Sequence, residues 1–182
     1  CDHLSGVATK TRAIVDAAHG ANPACEVLTT RKSMPGVKDL LTKAVTCGGA
    51  FPHRLGASET VLVFDHHITF MGGFEAFLEA LPALRSRCVE KKLFVEAGPD
   101  EARCLAKAGV DGIQLDKLPV DDLAALVPEL RTIDPHLTLI AAGGINLQNA
   151  AVYAATGVDG LATTAPFIAK PIDMSVRMKR AE

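Results

Sequence analysis

Short apolar runs along this chain alternate with longer segments in which apolar residues recur at helical spacing. The short runs, rich in Val, Ile and Leu, predict six β-strands at residues 25–30, 60–64, 92–97, 112–116, 137–142 and 159–164. The longer segments predict six helices at residues 5–19, 35–46, 74–87, 100–108, 120–133 and 147–156. Continuous apolar strands that alternate with helices are typical of a parallel sheet covered on both faces.

Residue types at the helix ends refine these predictions. Ser33 is expected to cap the second helix, with Pro35 in its first turn. Helices are expected to stop at three glycines, Gly20, Gly109 and Gly157. Pro82 and Pro128 fall inside two predicted helices, where a proline is unfavourable.

A short repeat indicates how the units are arranged. The sequence AGVDGI at residues 108–113 recurs as TGVDGL at residues 156–161, 48 residues later, which corresponds to two strand–helix units. Each copy combines a helix end, a tight turn and the start of a strand. Six such units with polar residues at successive strand ends predict an incomplete (β/α) barrel, TIM-like with about six strands. A doubly wound sheet is the structural alternative.

Composition is that of one globular domain. The chain has 182 residues, of which 48% are apolar and 22% charged, and no linker or low-complexity segment interrupts residues 1–182. Aromatic residues are scarce, which argues against a nucleic-acid module that stacks bases. Five cysteines without a CxxC pair fit reduced thiols, and no apolar run reaches transmembrane length, so we expect a cytoplasmic protein. Because the chain starts without Met on a helical segment, we expect residues upstream of it.

Charge is concentrated in one segment. From Arg31 to Arg54 there are five Lys or Arg residues and one acid, Asp39, a local charge of +4 in a chain of net charge −2. Cations that lie at strand ends and beside glycines suit a site for an anionic small molecule.

The carboxyl ends of the strands are where a barrel of this kind places its active site. The residues at the six strand ends are Arg31 and Lys32, then Asp65, His66 and His67, then Glu96, then Asp116 and Lys117, then Gly143 and Gly144, then Thr163 and Thr164. Glu96 and Asp116, facing one cleft, would hold Mg²⁺ through water, bind sugar hydroxyls or stabilise positive charge on a sugar. The alternative is that both are surface acids at helix N-termini. His66 and His67 are interpreted as a loop doublet rather than a pair of metal ligands.

A glycine turn follows the fifth predicted strand. Gly143 and Gly144 would let backbone amides approach a phosphate, and Asn146 is expected to cap the helix that follows. The neighbouring Thr163 and Thr164 lie in the last unit, where barrels often bind phosphate.

Several motifs in the same order resemble the catalytic domain of quinolinate phosphoribosyltransferase, also called nicotinate-nucleotide pyrophosphorylase. They are LSGVAT at residues 4–9, TRK at 30–32, HR at 53–54, VE at 95–96, LD at 115–116 and GGIN at 143–146. Residues 52–64 and 165–171 are similar to the ModD branch of that superfamily, which is associated with molybdenum-transport genes.

The resemblance implies a reaction and a set of site residues. Family enzymes join phosphoribosyl pyrophosphate to quinolinate with Mg²⁺, and release pyrophosphate and carbon dioxide to give nicotinate mononucleotide. The implied catalytic residues are Lys32, Glu96 and Asp116, the last two also serving the metal. The implied substrate-binding residues are Arg31, His53, Arg54 and Phe64, and the implied phosphate-binding residues are Gly143, Gly144, Thr163 and Thr164. The family also implies a homodimer that lends an arginine, and a preceding α/β sandwich domain, which we expect to be missing from this chain.

The chain departs from the family pattern at three positions. The quinolinate enzymes carry a lysine where this chain has Phe64, a serine at Ala142 and a glycine at Thr164. Losing the lysine predicts an acceptor with fewer anionic groups than quinolinate. Two alternatives remain open: another phosphosugar substrate on the same fold, and an accessory protein of molybdate uptake whose basic groups hold an oxyanion.

Overall fold

A computed structural model describes residues 1–56 and 59–180 of the chain. The strands of this part are β1 (Glu26–Thr29), β2 (Phe51–Pro52), β3 (Val61–Val63), β4 (Leu93–Glu96), β5 (Gly112–Asp116), β6 (Thr138–Ala142) and β7 (Gly160–Thr163). The helices are α1 (Asp2–Ala21), α2 (Lys38–Cys47), α3 (Asp65–Phe70), α4 (Phe74–Ser86), α5 (Pro99–Ala108), α6 (Val120–Ile133) and α7 (Ala150–Ala154), followed by a 3₁₀ turn at Ala165–Ile168. No helix in residues 1–56 or 59–180 combines the length and the apolar character needed to cross a membrane.

All seven strands form one parallel sheet in the order β2-β1-β7-β6-β5-β4-β3. Strands β3 to β7 follow one another in a single direction, and β7 then pairs with β1, so that the sheet curls back on itself. A doubly wound sheet would reverse its strand order, and that alternative is therefore excluded. The predicted incomplete barrel is confirmed, with an opening between β2 and β3 in the strand order.

The structure has one strand more than the six that the sequence pattern predicted, and this additional strand is β2. It has only two residues, and one of them, Pro52, has no backbone N–H to give to a ladder. It pairs with β1 through Leu28 opposite Phe51 and Thr29 opposite Pro52. The N–H of His53 then donates to the carbonyl of Thr29 at 2.9 Å, which continues the pairing beyond the strand.

Side chains on the strands point alternately to the two faces of the sheet and thereby form two separate apolar clusters. Odd-numbered strand residues such as Val95, Ile113 and Leu139 join the large core beneath the helices. Even-numbered residues face the inside of the barrel, where they form a smaller cluster of Leu62, Phe94, Ile140, Ala142 and Ala162. Because Glu96, Gln114 and Asp116 share this even register, the sheet turns all three toward the interior.

The repeated motif ties neighbouring strands together at their amino ends. Asp111 accepts the N–H of Leu93 at 2.7 Å, and Asp159 accepts the N–H of Leu139 at 2.6 Å. Each aspartate also donates its own N–H to the carbonyl of the same leucine, at 3.1 and 2.9 Å. The repeat therefore has a structural role at the end of the barrel opposite the strand ends that carry the polar residues.

Several predicted helix boundaries are wrong. Helix α2 begins at Lys38 after Val37, so Ser33 does not cap it, and α1 continues past Gly20 to Ala21. His66 and His67 lie in the short helix α3 and not in a loop, and α7 spans only Ala150–Ala154. Gly109 does end its helix, in the left-handed conformation.

The two helices with internal prolines both form. Pro82 and Pro128 are exposed, whereas Leu81 and Leu130 of the same helices are at most 2% exposed. Burial of the apolar face therefore outweighs the hydrogen bond that each proline removes.

Candidate active site

A cleft of about 1070 Å³ lies at the carboxyl ends of the strands. Its walls include every residue that the family resemblance implies for the site, namely Arg31, Lys32, His53, Arg54, Phe64, Glu96, Asp116, Gly143, Gly144, Thr163 and Thr164. The early basic segment and the two later acids therefore share one cavity. Glu96 and Asp116 both line this cleft, as their place at the strand ends led us to expect.

Basic side chains form one side of the cleft. Arg31 and Lys32 follow β1 and are exposed, whereas His53 and Arg54 follow β2 and are partly buried. Burial, reinforced by the charges of Arg54 and Arg31, lowers the pKa of His53 to about 4. His53 is therefore neutral at pH 7 and offers a hydrogen bond instead of a positive charge.

Arg54 lies against the ring of Phe64. Its guanidinium carbon is 5.7 Å from the ring centroid, a distance suited to a cation–π contact. Burial and then the charge of Arg31 lower the pKa of Arg54, while Glu59 acts in the opposite direction. The buried Nε of Arg54 has no hydrogen-bond partner within the part of the chain that the structure describes. An unsatisfied buried donor is costly, by about 1–3 kcal/mol, and an anionic ligand atom would satisfy it.

Glu96 is held by a neighbour that sequence reasoning did not single out. The side-chain amide of Gln114 donates to Oε2 of Glu96 at 2.6 Å, and Gln114 is only 7% exposed. The two residues are direct partners in the pairing of β4 with β5. A signal was present in the sequence, because a polar residue between Ile113 and Leu115 interrupts a buried strand in register with Asp116.

Asp116 is flanked by Lys117 and by the glycine turn. Nζ of Lys117 lies 3.6 Å from Oδ2 of Asp116. Gly143 and Gly144 both have positive φ values, 85° and 73°. A β-carbon on Gly143 would lie 2.8 Å from Oδ1 of Asp116, so glycine is required for this close approach.

The turn is followed by a short connection and not directly by a helix. Asn146 accepts the N–H of Gln148 at 2.9 Å, while Asn149 accepts the N–H of Asn146 at 2.7 Å. The predicted capping of a helix by Asn146 is wrong, since α7 begins at Ala150 and has five residues. Any phosphate at this turn would depend on the loop amides and on side chains, because a helix this short has little dipole to offer.

Thr163, the last residue of β7, and Thr164, which follows it, differ in how their hydroxyl groups are engaged. Thr163 is 1% exposed, and its hydroxyl donates to the carbonyl of Ile145 at 2.6 Å and accepts the N–H of Ala165 at 3.0 Å. Its hydroxyl is therefore engaged within the protein, which argues against the predicted phosphate contact. Thr164 lies 2.9 Å from the hydroxyl of Thr30, which also accepts the N–H of Lys32. If Thr30 donates in this pair, the hydroxyl hydrogen of Thr164 remains free for a ligand.

The carboxylates fit a magnesium ion only if a substrate supplies most of its ligands. Within residues 1–56 and 59–180, no three His, Cys, Asp or Glu side chains lie close enough together to hold a metal. Glu96 already accepts from Gln114, and Asp116 lies beside Lys117. Because Mg²⁺ commonly binds through one or two carboxylates together with substrate phosphates, this donor set suits an ion that arrives on a phosphorylated ligand.

Comparison with known proteins agrees with the resemblance seen in the motifs. The family described as quinolinate phosphoribosyl transferase, C-terminal domain, matches residues 7–177. A protein of Rhodobacter capsulatus provisionally named pyrophosphorylase ModD is 45% identical over 148 residues, or 81% of this chain. A carboxylating nicotinate-nucleotide pyrophosphorylase of Mycobacterium leprae is 37% identical over 164 residues, or 90% of this chain. The solved nicotinate-nucleotide pyrophosphorylase of Francisella tularensis superposes on 94% of this chain with a TM-score of 0.81 and 31% identity.

These relatives are longer proteins. The chain spans 56% of the length of the R. capsulatus and M. leprae proteins and 59% of the F. tularensis chain.

Proposed function

Because this chain belongs to the quinolinate phosphoribosyl transferase C-terminal domain family, we propose that it carries the active-site cleft of a phosphoribosyltransferase. The reaction is of the carboxylating nicotinate-nucleotide pyrophosphorylase type, with phosphoribosyl diphosphate as donor and a pyridine carboxylate as acceptor. The observation that supports this most directly is the convergence of cations, two acids and a glycine turn in one cleft.

The basic residues after β1 suit the leaving group. When the bond from ribose C1 to oxygen breaks, diphosphate departs with the electron pair, and Arg31 and Lys32 would stabilise its charge. Positive charge then develops on the ribose, which Glu96 and Asp116 would face. The acceptor nitrogen supplies the electron pair of the new bond to C1. With a dicarboxylate acceptor, as in the carboxylating type, carbon dioxide then leaves the ring and a proton takes its place; with a monocarboxylate acceptor, the reaction ends when the new bond has formed.

Magnesium is proposed to enter with the donor. When bound to the diphosphate, the ion would neutralise part of its negative charge, with Glu96 and Asp116 in contact through water. We also propose, from the family resemblance, that the complete protein is a homodimer.

The part of the cleft formed by His53, Arg54 and Phe64, here called the acceptor side, suits a substrate less anionic than quinolinate. Phe64 provides a ring where the family places a lysine, and His53 is neutral at pH 7. Arg54 is the partly buried cation of this side, and its guanidinium group would bind a carboxylate oxygen. A pyridine with one carboxylate matches this arrangement better than a dicarboxylate.

A second candidate is an accessory protein that binds molybdate. The unpartnered Nε of Arg54, together with Arg31 and Lys32, would suit a small oxyanion. Glu96 and Asp116 on the same cleft would repel such a dianion, and this repulsion favours the enzyme.

Thermal unfolding of the complete protein separates the two candidates. Phosphoribosyl diphosphate with Mg²⁺ is expected to raise the Tm, because a ligand that binds only the folded state stabilises it. Asp116→Asn should fold normally but lose much of this shift and of the turnover. Stabilisation by molybdate and not by the donor, equal or larger in Asp116→Asn because one repelling charge is removed, would support the accessory role instead.

A further inference from the structure

Lys117 has a backbone conformation that is unfavourable for its residue type. Its φ of 55° is the one positive value outside glycine among the described residues. Residues with a β-carbon rarely adopt this conformation, and those that do cluster at binding and catalytic sites. The hydrogen bond from the N–H of Lys117 to the carbonyl of Ala142, at 2.8 Å, holds the backbone in place.

The glycine turn makes room for the Lys117 side chain. A β-carbon on Gly143 would lie 2.4 Å from Cγ of Lys117 and 2.7 Å from its backbone nitrogen. Gly143 therefore has two reasons to be glycine, its φ of 85° and this contact. The result is a lysine whose aliphatic stem lies against the turn, at the point where the cleft is bounded by Gly143 and Gly144.

The ammonium group is available to a ligand. The Lys117 side chain is 80% exposed, and its Nζ is 3.6 Å from Oδ2 of Asp116, beyond hydrogen-bonding distance. This is a loose ion pair at an exposed site, which contributes little to stability. The ion pair with Asp116 alone therefore does not explain why a lysine is kept in this strained backbone conformation.

We propose that Lys117 binds the phosphate monoester of the donor at the Gly143–Gly144 turn, an inference that rests on the proposed function. A sugar phosphate has a dianionic end and a hydroxylated end. The ammonium group and the turn would take the phosphate, since charge-assisted hydrogen bonds to phosphate are strong. Asp116, one residue earlier, would take a hydroxyl of the same sugar.

Isothermal titration of the complete protein with ribose 5-phosphate tests this assignment. Lys117→Asn removes the charge and keeps a residue that tolerates positive φ, and it should weaken binding about tenfold to a hundredfold. Lys117→Gly, which also relieves the backbone strain, should lose as much. Lys117→Arg should retain most of the affinity, and Lys43→Asn, an exposed lysine of α2 outside the cleft, should bind like the unsubstituted protein.

A double-mutant cycle with Asp116→Asn separates direct contact from an effect through Asp116. A direct contact predicts that Lys117→Asn still weakens phosphate binding in the Asp116→Asn background. No further loss in that background would overturn the assignment. Equal binding of ribose 5-phosphate by Lys117→Asn and by the unsubstituted protein would also overturn the assignment, but it would leave the proposed function intact. If the unsubstituted protein binds neither ribose 5-phosphate nor the complete donor, both the proposed function and this inference fail.

Discussion

His53 and Arg31 are both basic residues of the cleft, but they differ in burial, since His53 is partly buried and Arg31 is exposed. Burial lowers the pKa of His53 to about 4, so this side chain is neutral at pH 7. Arg54 is an intermediate case, since its guanidinium group is partly buried against Phe64 but remains a cation. The acceptor side thus combines one partly buried cation, one neutral hydrogen-bonding group and one aromatic ring.

Restoring a cation at position 64 tests whether this side limits the choice of acceptor. Phe64→Lys is expected to strengthen quinolinate binding about tenfold to a hundredfold, since one charge-assisted contact contributes about 1.5–3 kcal/mol. Isothermal titration of the complete protein measures this change. Phe70→Lys is the matched control, because Phe70 is 91% exposed on α3 and outside the cleft. Micromolar quinolinate binding by the unsubstituted protein, with no gain in Phe64→Lys, would contradict the account.

At the scale of elements, the sequence pattern predicted most strands and helices and missed two short ones, β2 and α3. Helix α6 begins and ends where predicted, since buried Leu123, Leu126 and Leu130 repeat at helical spacing. Strand β2 and helix α3 have two and six residues, too few to show a period. Their positions depend on tertiary contacts, such as the pairing of β2 with β1.

The Gly143–Gly144 turn after β6 is the element on which the proposed binding of the donor phosphate depends most. Gly143→Ala is expected to lower the free energy of unfolding by more than the about 1–2 kcal/mol that positive φ alone costs, because its β-carbon would also strike Lys117 and Asp116. Gly157→Ala is the control, with a φ of 87° and its nearest neighbour, Val127, at 3.6 Å. Chemical denaturation should show the larger loss for Gly143→Ala, and equal losses would refute the close packing.

At the scale of the whole molecule, parallel pairing explains why residues distant in sequence meet. Every strand points the same way, so the residues that follow β1, β4, β5 and β6 all reach one end of the barrel. This convergence could be predicted from the sequence because it needs only the strand order and direction. The partner of Glu96 and the buried bonds of Thr163 could not, since they depend on which side chains the register places side by side.

The central claim is that this one cleft binds the phosphoribosyl donor with its basic and acidic groups together. A crystal structure of the complete protein with phosphoribosyl diphosphate and Mg²⁺ tests it most directly. The account predicts the 5-phosphate at Gly143 and Gly144, the ribose hydroxyls at Glu96 and Asp116, and the diphosphate beside Lys32. A donor bound elsewhere, or a ribose that contacts neither acid, would contradict it.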